Sequence, residues 1–182
     1  MNERNIEEKI ISEERVFTGN LVKVNRLEVI LPDGKSASRE AVRHPGAAAI
    51  VPVDENGMVT LVRQYRAPIA DVLLEIPAGK LDHKGEDRLE AAKRELQEET
   101  GLQAERWTHL VDLVTAPGFC DEMISIYLAQ GLSEGEDHPD EDEFLNAVKI
   151  PFAELMEMAA RGELTDSKTL AGVLLAARHI NS

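Results

Sequence analysis

The segment from Glu86 to Thr100 places the strongest constraint on the fold of this chain. It contains neither Gly nor Pro and is bounded by Gly85 and Gly101, which predicts a single helix that ends at Thr100. Segments rich in apolar and β-branched residues precede and follow it, so the helix is expected to pack on a β-sheet. The sequence therefore predicts an α/β fold, a sandwich of strands covered by helices.

Alternating apolar and polar residues predict strands on both sides of this helix. Up to His44 the pattern predicts a small antiparallel sheet, with a β-bulge near Asn25 and Arg26 and a turn at Pro32-Asp33-Gly34. We expect an N-terminal β-strand region, residues 1–44, and a main domain, residues 45–182. Further strands are predicted at 47–53, 58–64, 72–76, 108–114, 123–129 and 145–150. Two more helices are predicted, one at 152–161 and one that runs toward the C-terminus, with Ser167 as its expected N-cap.

Charge and composition exclude several classes of protein. The chain has 20 Lys and Arg against 34 Asp and Glu, a net charge of −14 at pH 7, so its field repels polyanions and no nucleic-acid binding is expected. The apolar runs are too short to cross a bilayer and the N-terminus has no secretory pattern, which predicts no membrane association and a cytoplasmic location. The single cysteine, Cys120, excludes an intrachain disulfide and a Cys-based zinc site.

Three carboxylates share one side of the predicted helix. At about 100° per residue, Glu95, Glu98 and Glu99 fall within one sector of about 100°, beside the apolar stripe that faces the core. Glu95 and Glu99 form an i, i+4 pair of like charge, so a cation is needed to offset their repulsion. Mg²⁺ prefers carboxylate oxygens and bridges to phosphate groups. The alternative is a solvated acidic face, which is common on Glu-rich helices of acidic proteins.

The residues around this cluster resemble the Nudix box, the loop-helix-loop signature of hydrolases that act on nucleoside diphosphates linked to another group. Gly79 is followed by Glu86 and then by Arg94-Glu95-Leu96-Gln97-Glu98-Glu99-Thr100-Gly101-Leu102. The match is complete from Glu86 onward, and one additional residue lies in the loop between Gly79 and Glu86. The resemblance implies a Nudix α/β/α sandwich with an N-terminal antiparallel β-sheet region.

The resemblance also implies a role for each residue of the signature. Glu95, Glu98 and Glu99 would bind the metal together with the backbone carbonyl of Ala78. The implied ion is Mg²⁺, with Mn²⁺ as an alternative, and its function would be to neutralise the diphosphate and activate a water molecule. Arg94 and Glu86 would form a structural pair that orients the helix.

Most of the chain resembles one branch of this family, the ADP-ribose pyrophosphatases and related nucleoside diphosphate sugar hydrolases. The mark of that branch is a proline about fifteen residues beyond the box, and Pro117 lies at this distance from Leu102. In isolation, Pro117-Gly118 would be a plain turn, and single arginines would be solvated. The resemblance implies a homodimer in which the N-terminal strands complete the partner's nucleotide pocket. It implies substrate binding by stacking of Phe17 on the base, by Arg43 and Arg66 on phosphate or ribose, by Glu122 on the sugar or base edge, and by the segment around Pro117.

The acidic loop from Ser133 to Glu143 contains the candidate general base. Seven of its eleven residues are Asp or Glu, a composition that is also typical of a disordered, solvated loop. Glu141 and Glu143 precede an apolar strand, and this arrangement is similar to the mobile loop from which these enzymes recruit a catalytic glutamate. We prefer Glu141 as the base and retain Glu143 as the alternative.

The implied function is hydrolysis of ADP-ribose to AMP and ribose 5-phosphate. The first alternative is a pyrophosphatase that prefers GDP-mannose or accepts several nucleotide sugars. The second is a sensor that binds nucleotide sugars without hydrolysing them, which the complete set of Glu95, Glu98 and Glu99 disfavours. The histidines show no zinc-binding spacing, and Cys120 has no activating partner in the sequence.

Overall fold

The computed structural model describes residues 6–20, 22–83, 85–135 and 145–180. None of the helices in these ranges has both the length and the apolar character that crossing a bilayer requires. The described residues form ten strands and three helices, in the order β1 (Lys9–Thr18), β2 (Lys23–Ile30), β3 (Ser36–Arg43), β4 (Ala47–Pro52), β5 (Met58–Arg66), β6 (Asp71–Glu75), β7 (Ala78–Lys80), α1 (Arg88–Thr100), β8 (Leu102–Val114), β9 (Met123–Glu134), β10 (Asn146–Pro151), α2 (Phe152–Ala160) and α3 (Ser167–Ile180).

The chain forms two compact units. The first contains the chain through His44 together with Val114–Glu122, and the second contains Pro45–Leu113 and the chain from Met123 onward. In the first unit, β1, β2 and β3 form an antiparallel sheet in that order. The segment Val114–Glu122 is attached to β3 through Val42, whose N–H donates to the Phe119 carbonyl at 2.7 Å.

The bulges of the N-terminal sheet lie in β1, so the predicted bulge at Asn25 and Arg26 is wrong. Pairing between β2 and β3 is continuous, whereas β1 shifts register against β2 between Ile10 and Ser12 and between Arg15 and Phe17. The expected change of phase in β2 does not occur, because Asn25 shares the buried face with Leu27 and Val29. Asn25 is 7 % exposed, because its side chain is hydrogen-bonded to those of Arg15 and Glu13.

The second unit has a four-stranded sheet, β7-β4-β9-β8, and a three-stranded sheet, β10-β5-β6. Strand β4 is antiparallel to β7 and parallel to β9. Helix α1 covers one face of the four-stranded sheet over a small core that includes Ala48, Ile50 and Leu96. A larger core that includes Val51, Ile126 and Val173 lies on the other face, where α3 packs. The expected α/β sandwich is therefore confirmed.

Local hydrogen bonds fix the helix ends. The Asp87 side chain accepts from the N–H groups of the first turn of α1, and Gly101 ends the helix with φ 67° and ψ 11°. Ser167 was expected to cap α3, but this expectation is wrong. Ser167 is the first helical residue, and Asp166 is the cap because its Oδ2 accepts from the backbone N–H of Thr169 at 3.0 Å. Ser and Asp are both suitable N-cap residues, and the residue at which the helix begins decides which of them is the cap.

Gly172 allows close packing of α3 on the sheet. A Cβ atom there would lie 2.9 Å from Val51 Cγ2 and 3.2 Å from Ile76 Cδ1. Ala favours a helix by about 1 kcal/mol over Gly, but overpacking of a core costs about 1–3 kcal/mol. We expect Gly172→Ala to lower the free energy of unfolding, measured by urea denaturation, while Leu174→Ala at an exposed position of α3 changes it by less than about 0.5 kcal/mol. An increased midpoint for Gly172→Ala would contradict the packing argument.

Candidate active site

Helix α1 holds two buried carboxylates at the edge of the four-stranded sheet. Its inner face consists of Ala91, Ala92 and Leu96, which are fully buried against the sheet. Glu95 and Glu99 lie on the same side of the helix and are 8 % and 9 % exposed. Burial of a carboxylate is unfavourable unless donors or cations surround it. The neighbours of these two residues therefore determine the chemistry of this edge.

Strand β7 lies directly against Glu95 and Glu99. The Ala78 N–H donates to Glu99 Oε2 at 2.9 Å. A Cβ atom at Gly79 would lie 2.1 Å from the carboxyl carbon of Glu95, so the Glu95 carboxylate occupies the space that a side chain at position 79 would need. The additional residue in the loop before α1 therefore leaves Ala78 and Gly79 beside the helix.

Arg94 connects the acidic residues around α1. Its Nη1 donates to Glu95 Oε1 at 2.7 Å and to Glu98 Oε2 at 2.8 Å. The expected pair with Glu86 also forms, with Nη2 3.7 Å from Glu86 Oε1, and Nε lies 3.6 Å from Asp82. Burial opposes the charge of Arg94, but Glu95 and Glu98 outweigh it and raise the pKa of the guanidinium above its ordinary value. The Arg94 guanidinium thus lies within ion-pair distance of four carboxylates.

The donor atoms at this edge fit a hard divalent cation. Glu95, Glu98 and Glu99 offer only oxygen, and their three negative charges exceed the single positive charge of Arg94. In the described ranges, no three His, Cys, Asp or Glu side chains already converge as a metal cage, and Arg94 holds Glu95 and Glu98 instead. A carboxylate has two oxygens and about four lone-pair sites, so a bond to Arg94 leaves capacity for a further cation.

A second charged group in the same unit surrounds Arg66, at the end of β5. Its Nε and Nη2 donate to the two carboxylate oxygens of Glu75, both at 2.7 Å, and Lys168 also donates to Glu75. Burial acts to raise the pKa of Glu75, but the hydrogen bonds from Arg66 and Lys168 outweigh it and lower the pKa. Glu75 and Lys168 were not predicted from the sequence. The signal that could have indicated Glu75 is an acidic residue inside the otherwise apolar segment Val72–Ile76.

The first unit contains four of the five predicted substrate-binding residues: Phe17, Arg43, Pro117 and Glu122. Arg43 pairs with Glu13 at 2.8 Å and with Asp121 at 3.1 Å, which connects β3 to β1 and to the segment Val114–Glu122. Glu122 accepts a hydrogen bond from Thr115 Oγ1 at 2.8 Å. Phe17 is 56 % exposed on β1. Arg66, the fifth residue, belongs to the second unit.

The two candidate bases, Glu141 and Glu143, lie outside the described residues. The strands on either side of the acidic loop are β9, which ends at Glu134, and β10, which begins at Asn146. The assignment of the base to Glu141 therefore stays a prediction.

Comparisons with known proteins give consistent results. The chain is 43 % identical to the methanol dehydrogenase activator of Bacillus methanolicus over 92 % of this chain and 91 % of that protein. It is 46 % identical to the ADP-ribose pyrophosphatase of Mycobacterium tuberculosis (90 % and 80 % covered) and 39 % identical to that of Bacillus subtilis (91 % and 90 %). A GDP-mannose pyrophosphatase of Yersinia enterocolitica is more distant, at 30 % identity.

A comparison of the fold with solved structures agrees with these sequence similarities. A crystal structure of an ADP compounds hydrolase matches with a TM-score of 0.84 and 25 % identity, over 98 % of this chain and 97 % of that one. The family model that describes the NUDIX domain matches residues 42–172, which include the whole segment from Gly79 to Leu102. The resemblance inferred from that segment is confirmed, and the chain belongs to the Nudix family.

Proposed function

We propose that the protein hydrolyses the diphosphate linkage of ADP-ribose, so that one water molecule yields AMP and ribose 5-phosphate. The observation that carries the proposal is the acidic edge of α1, where Glu95 and Glu99 are buried against Gly79 and Ala78. The relatives named ADP-ribose pyrophosphatase, at 39 % and 46 % identity, support the choice of substrate.

Glu95, Glu98, Glu99 and the Ala78 carbonyl would hold the metal, which we propose to be Mg²⁺, with Mn²⁺ as the alternative. When bound, a divalent ion supplies charge neutralisation of the diphosphate and lowers the pKa of a coordinated water. Neighbouring residues position the oxygen atoms that would bind this ion. Ala78 fixes Glu99 through its N–H, Gly79 leaves room for the Glu95 carboxylate, and Arg94 limits the repulsion between Glu95 and Glu98.

The proposed substrate contacts are those implied by the family resemblance. Phe17 would stack on the base, Arg43 and Arg66 would bind phosphate or ribose, and Glu122 would bind the sugar or base edge near Pro117. Arg43 already bonds to Glu13 and Asp121, so a substrate anion would have to share or replace these partners. Arg66 bonds to Glu75 through Nε and Nη2, so among the described residues its Nη1 is left for a substrate oxygen.

The direct test is to incubate the purified protein with Mg²⁺ and ADP-ribose and to identify the products by chromatography. AMP and ribose 5-phosphate in equal amounts are expected, and EDTA should stop the reaction until Mg²⁺ is added again. A parallel assay with GDP-mannose tests the first alternative. The proposal fails if GDP-mannose is the better substrate, or if ADP-ribose binds and is not hydrolysed, as expected of a sensor.

Glu141 is proposed as the general base that takes the proton of the attacking water. Replacement by Gln removes the basic carboxylate and keeps the shape, so we expect kcat to fall by about 10²-fold or more with a smaller change in KM. Glu143→Gln is the matched control, and we expect its kcat to stay within about threefold. A silent Glu141→Gln together with an inactive Glu143→Gln would assign the base to Glu143. Steady-state kinetics with ADP-ribose measure both.

We further propose a homodimer formed through the N-terminal sheet. Strand β1 is an edge strand that is exposed at all ten residues. Exposed apolar side chains are concentrated on and around it: Ile6, Ile10, Ile11, Val16, Phe17 and Val22. An apolar edge strand favours pairing with a second chain.

The dimer can be tested by light scattering coupled to size-exclusion chromatography. We expect the mass of two 20.1-kDa chains for the unmodified protein. Ile11→Asp combined with Val16→Asp should give the mass of one chain, because a charge in an apolar interface is costly to bury. Lys9→Ser, on the same strand, should leave the mass unchanged. An unmodified protein with the mass of one chain would contradict the proposal.

A second candidate function is activation of an alcohol dehydrogenase, which the 43 % identity to the methanol dehydrogenase activator favours. The test adds the protein to a methanol dehydrogenase and measures methanol oxidation. Glu99→Gln separates two forms of this function. If the variant still activates, activation needs only binding; if it does not, activation needs the hydrolytic site.

A further inference from the structure

A buried network of charges lies behind Arg66 and involves residues far apart in the sequence. Arg66 forms a two-pronged pair with Glu75, whose side chain is 2 % exposed. Lys168, with a side chain 9 % exposed, bonds to Glu75 and lies 3.1 Å from Asp166. Two cations and two carboxylates therefore balance each other in a largely buried place, where an unpaired charge would be costly.

The same network attaches α3 to the strand that leads into the acidic edge. Asp166 Oδ2 accepts from Thr169 Oγ1 at 2.6 Å, and Thr169 Oγ1 in turn accepts from the Ile76 N–H at 2.8 Å. Glu75 ends β6, Ile76 follows it, and Ala78, which donates to Glu99, begins β7. The network thus fixes both Arg66 and the segment that precedes Ala78.

Arg66 keeps donor capacity in this arrangement. Its side chain is 40 % exposed, and within the described part of the chain Nη1 has no hydrogen-bond partner. The hydrogen bonds to Glu75 raise the pKa of Arg66 against the opposing effect of burial, and the negative charge of Glu99 also contributes. Arg66 is therefore a fixed cation within electrostatic range of a residue at the acidic edge.

We propose that Glu75, supported by Lys168, is a positioning residue that holds the Arg66 guanidinium at the angle needed to bind a diphosphate oxygen through Nη1. The inference rests on the proposed function, since it takes a nucleoside diphosphate sugar as the ligand. Lys168 has a separate part in this arrangement. It donates to the same carboxylate, so that a second cation fixes Glu75 while its two oxygens hold Nε and Nη2 of Arg66. Carboxylates pair with guanidinium groups in this two-pronged geometry, which restricts rotation of the arginine.

A double-mutant cycle on ADP-ribose hydrolysis tests the proposal. Glu75→Gln should lower kcat/KM about 10-fold or more, mainly through KM, because a misplaced binding group weakens substrate binding. In an Arg66→Met background the same replacement should change kcat/KM less than about twofold, because Glu75 then has no arginine to position. Equal effects in both backgrounds would overturn the proposal. Glu75→Asp keeps the charge and should give an intermediate KM, which separates positioning from loss of folding.

The control is an exposed pair with the same geometry. Arg161 donates from Nε and Nη2 to the two oxygens of Glu163 at 2.7 and 2.9 Å. Glu163→Gln should leave kcat and KM unchanged, since this pair is solvated. A similar loss for Glu163→Gln would mean that the effect of Glu75→Gln is not specific to Arg66.

A readout independent of catalysis comes from the arginine Nε–H signals in ¹⁵N NMR spectra, with the Arg66 signal assigned by its loss in Arg66→Lys. Exchange of this proton with water should be slow in the unmodified protein and faster by about 10-fold or more in Glu75→Gln. An unchanged rate would overturn the proposal. If the unmodified protein does not hydrolyse ADP-ribose but the exchange result holds, the proposed function fails while the positioning of Arg66 by Glu75 stands.

Discussion

Glu99→Gln is expected to lower kcat/KM for ADP-ribose by about 10³-fold while the protein stays folded. The Gln carbonyl can still accept the Ala78 N–H that Glu99 Oε2 accepts at 2.9 Å, so the backbone contact survives. The replacement removes a negative charge that the proposed metal requires. It also relieves the repulsion between Glu95 and Glu99 on the buried side of α1, so the melting temperature should stay the same or increase.

The control for this prediction is Glu90→Gln. Glu90 lies in the first turn of the same helix, is exposed and pairs with Lys93, so its replacement should change kcat/KM less than about twofold. Activity is measured with Mg²⁺ at saturation, and melting by circular dichroism. Retention of more than a tenth of the activity by Glu99→Gln would contradict the assignment of Glu99 as a metal ligand.

Gly79→Ala is expected to remove most of the activity at a small cost in stability. The new Cβ would lie 2.1–2.2 Å from the carboxylate atoms of Glu95, a contact that forces one group to move. The end of a glutamate side chain moves more easily than a paired strand, so the Glu95 carboxylate should be displaced while β7 keeps its pairing with β4. We expect kcat/KM to fall by about 10²-fold, as is typical when a catalytic group is misplaced by about 1 Å.

Binding of Mn²⁺, measured by electron paramagnetic resonance, should weaken together with this loss of activity. Gly118→Ala provides the comparison for stability, because its added Cβ would have no atom of the described residues within 4 Å apart from those of its chain neighbours. Both variants should melt within a few degrees of the unmodified protein. Full activity in Gly79→Ala would show that Glu95 has room to move without consequence, and would remove the structural reason for a glycine at this position.

Features with local causes could be predicted from the sequence. The end of α1 at Gly101 depends on a left-handed residue, and the shared side of Glu95, Glu98 and Glu99 follows from the helical period alone. The strands β8 and β9 are longer than predicted. At the start of β8 the alternation is short and weak, because Gln103, Glu105 and Arg106 are polar and Ala104 is small, but these residues still belong to the strand. Pairing with neighbouring strands of the sheet extends β8 and β9 beyond the residues that the apolar alternation marks.

Features with distant causes could not be predicted. Lys168 bonds to a residue 93 positions away, and no local pattern marks either side chain as buried. Asn25 lies on the buried face of β2, where its side chain is hydrogen-bonded to two side chains of the neighbouring strand, so the change of phase expected near Asn25 does not occur. The pair of Arg94 with Glu86 was expected, but the bridge from Arg94 to Glu95 and Glu98 was not, because it depends on a side-chain conformation that spacing does not determine.

The bridge made by Arg94 separates the stability of the acidic helix from the binding of a metal ion. Adjacent carboxylates on a helix repel one another, and α1 carries part of the counter-charge in a side chain of the same helix. We therefore expect the chain to fold without divalent ions, so that the proposed metal would be needed for activity and not for the fold.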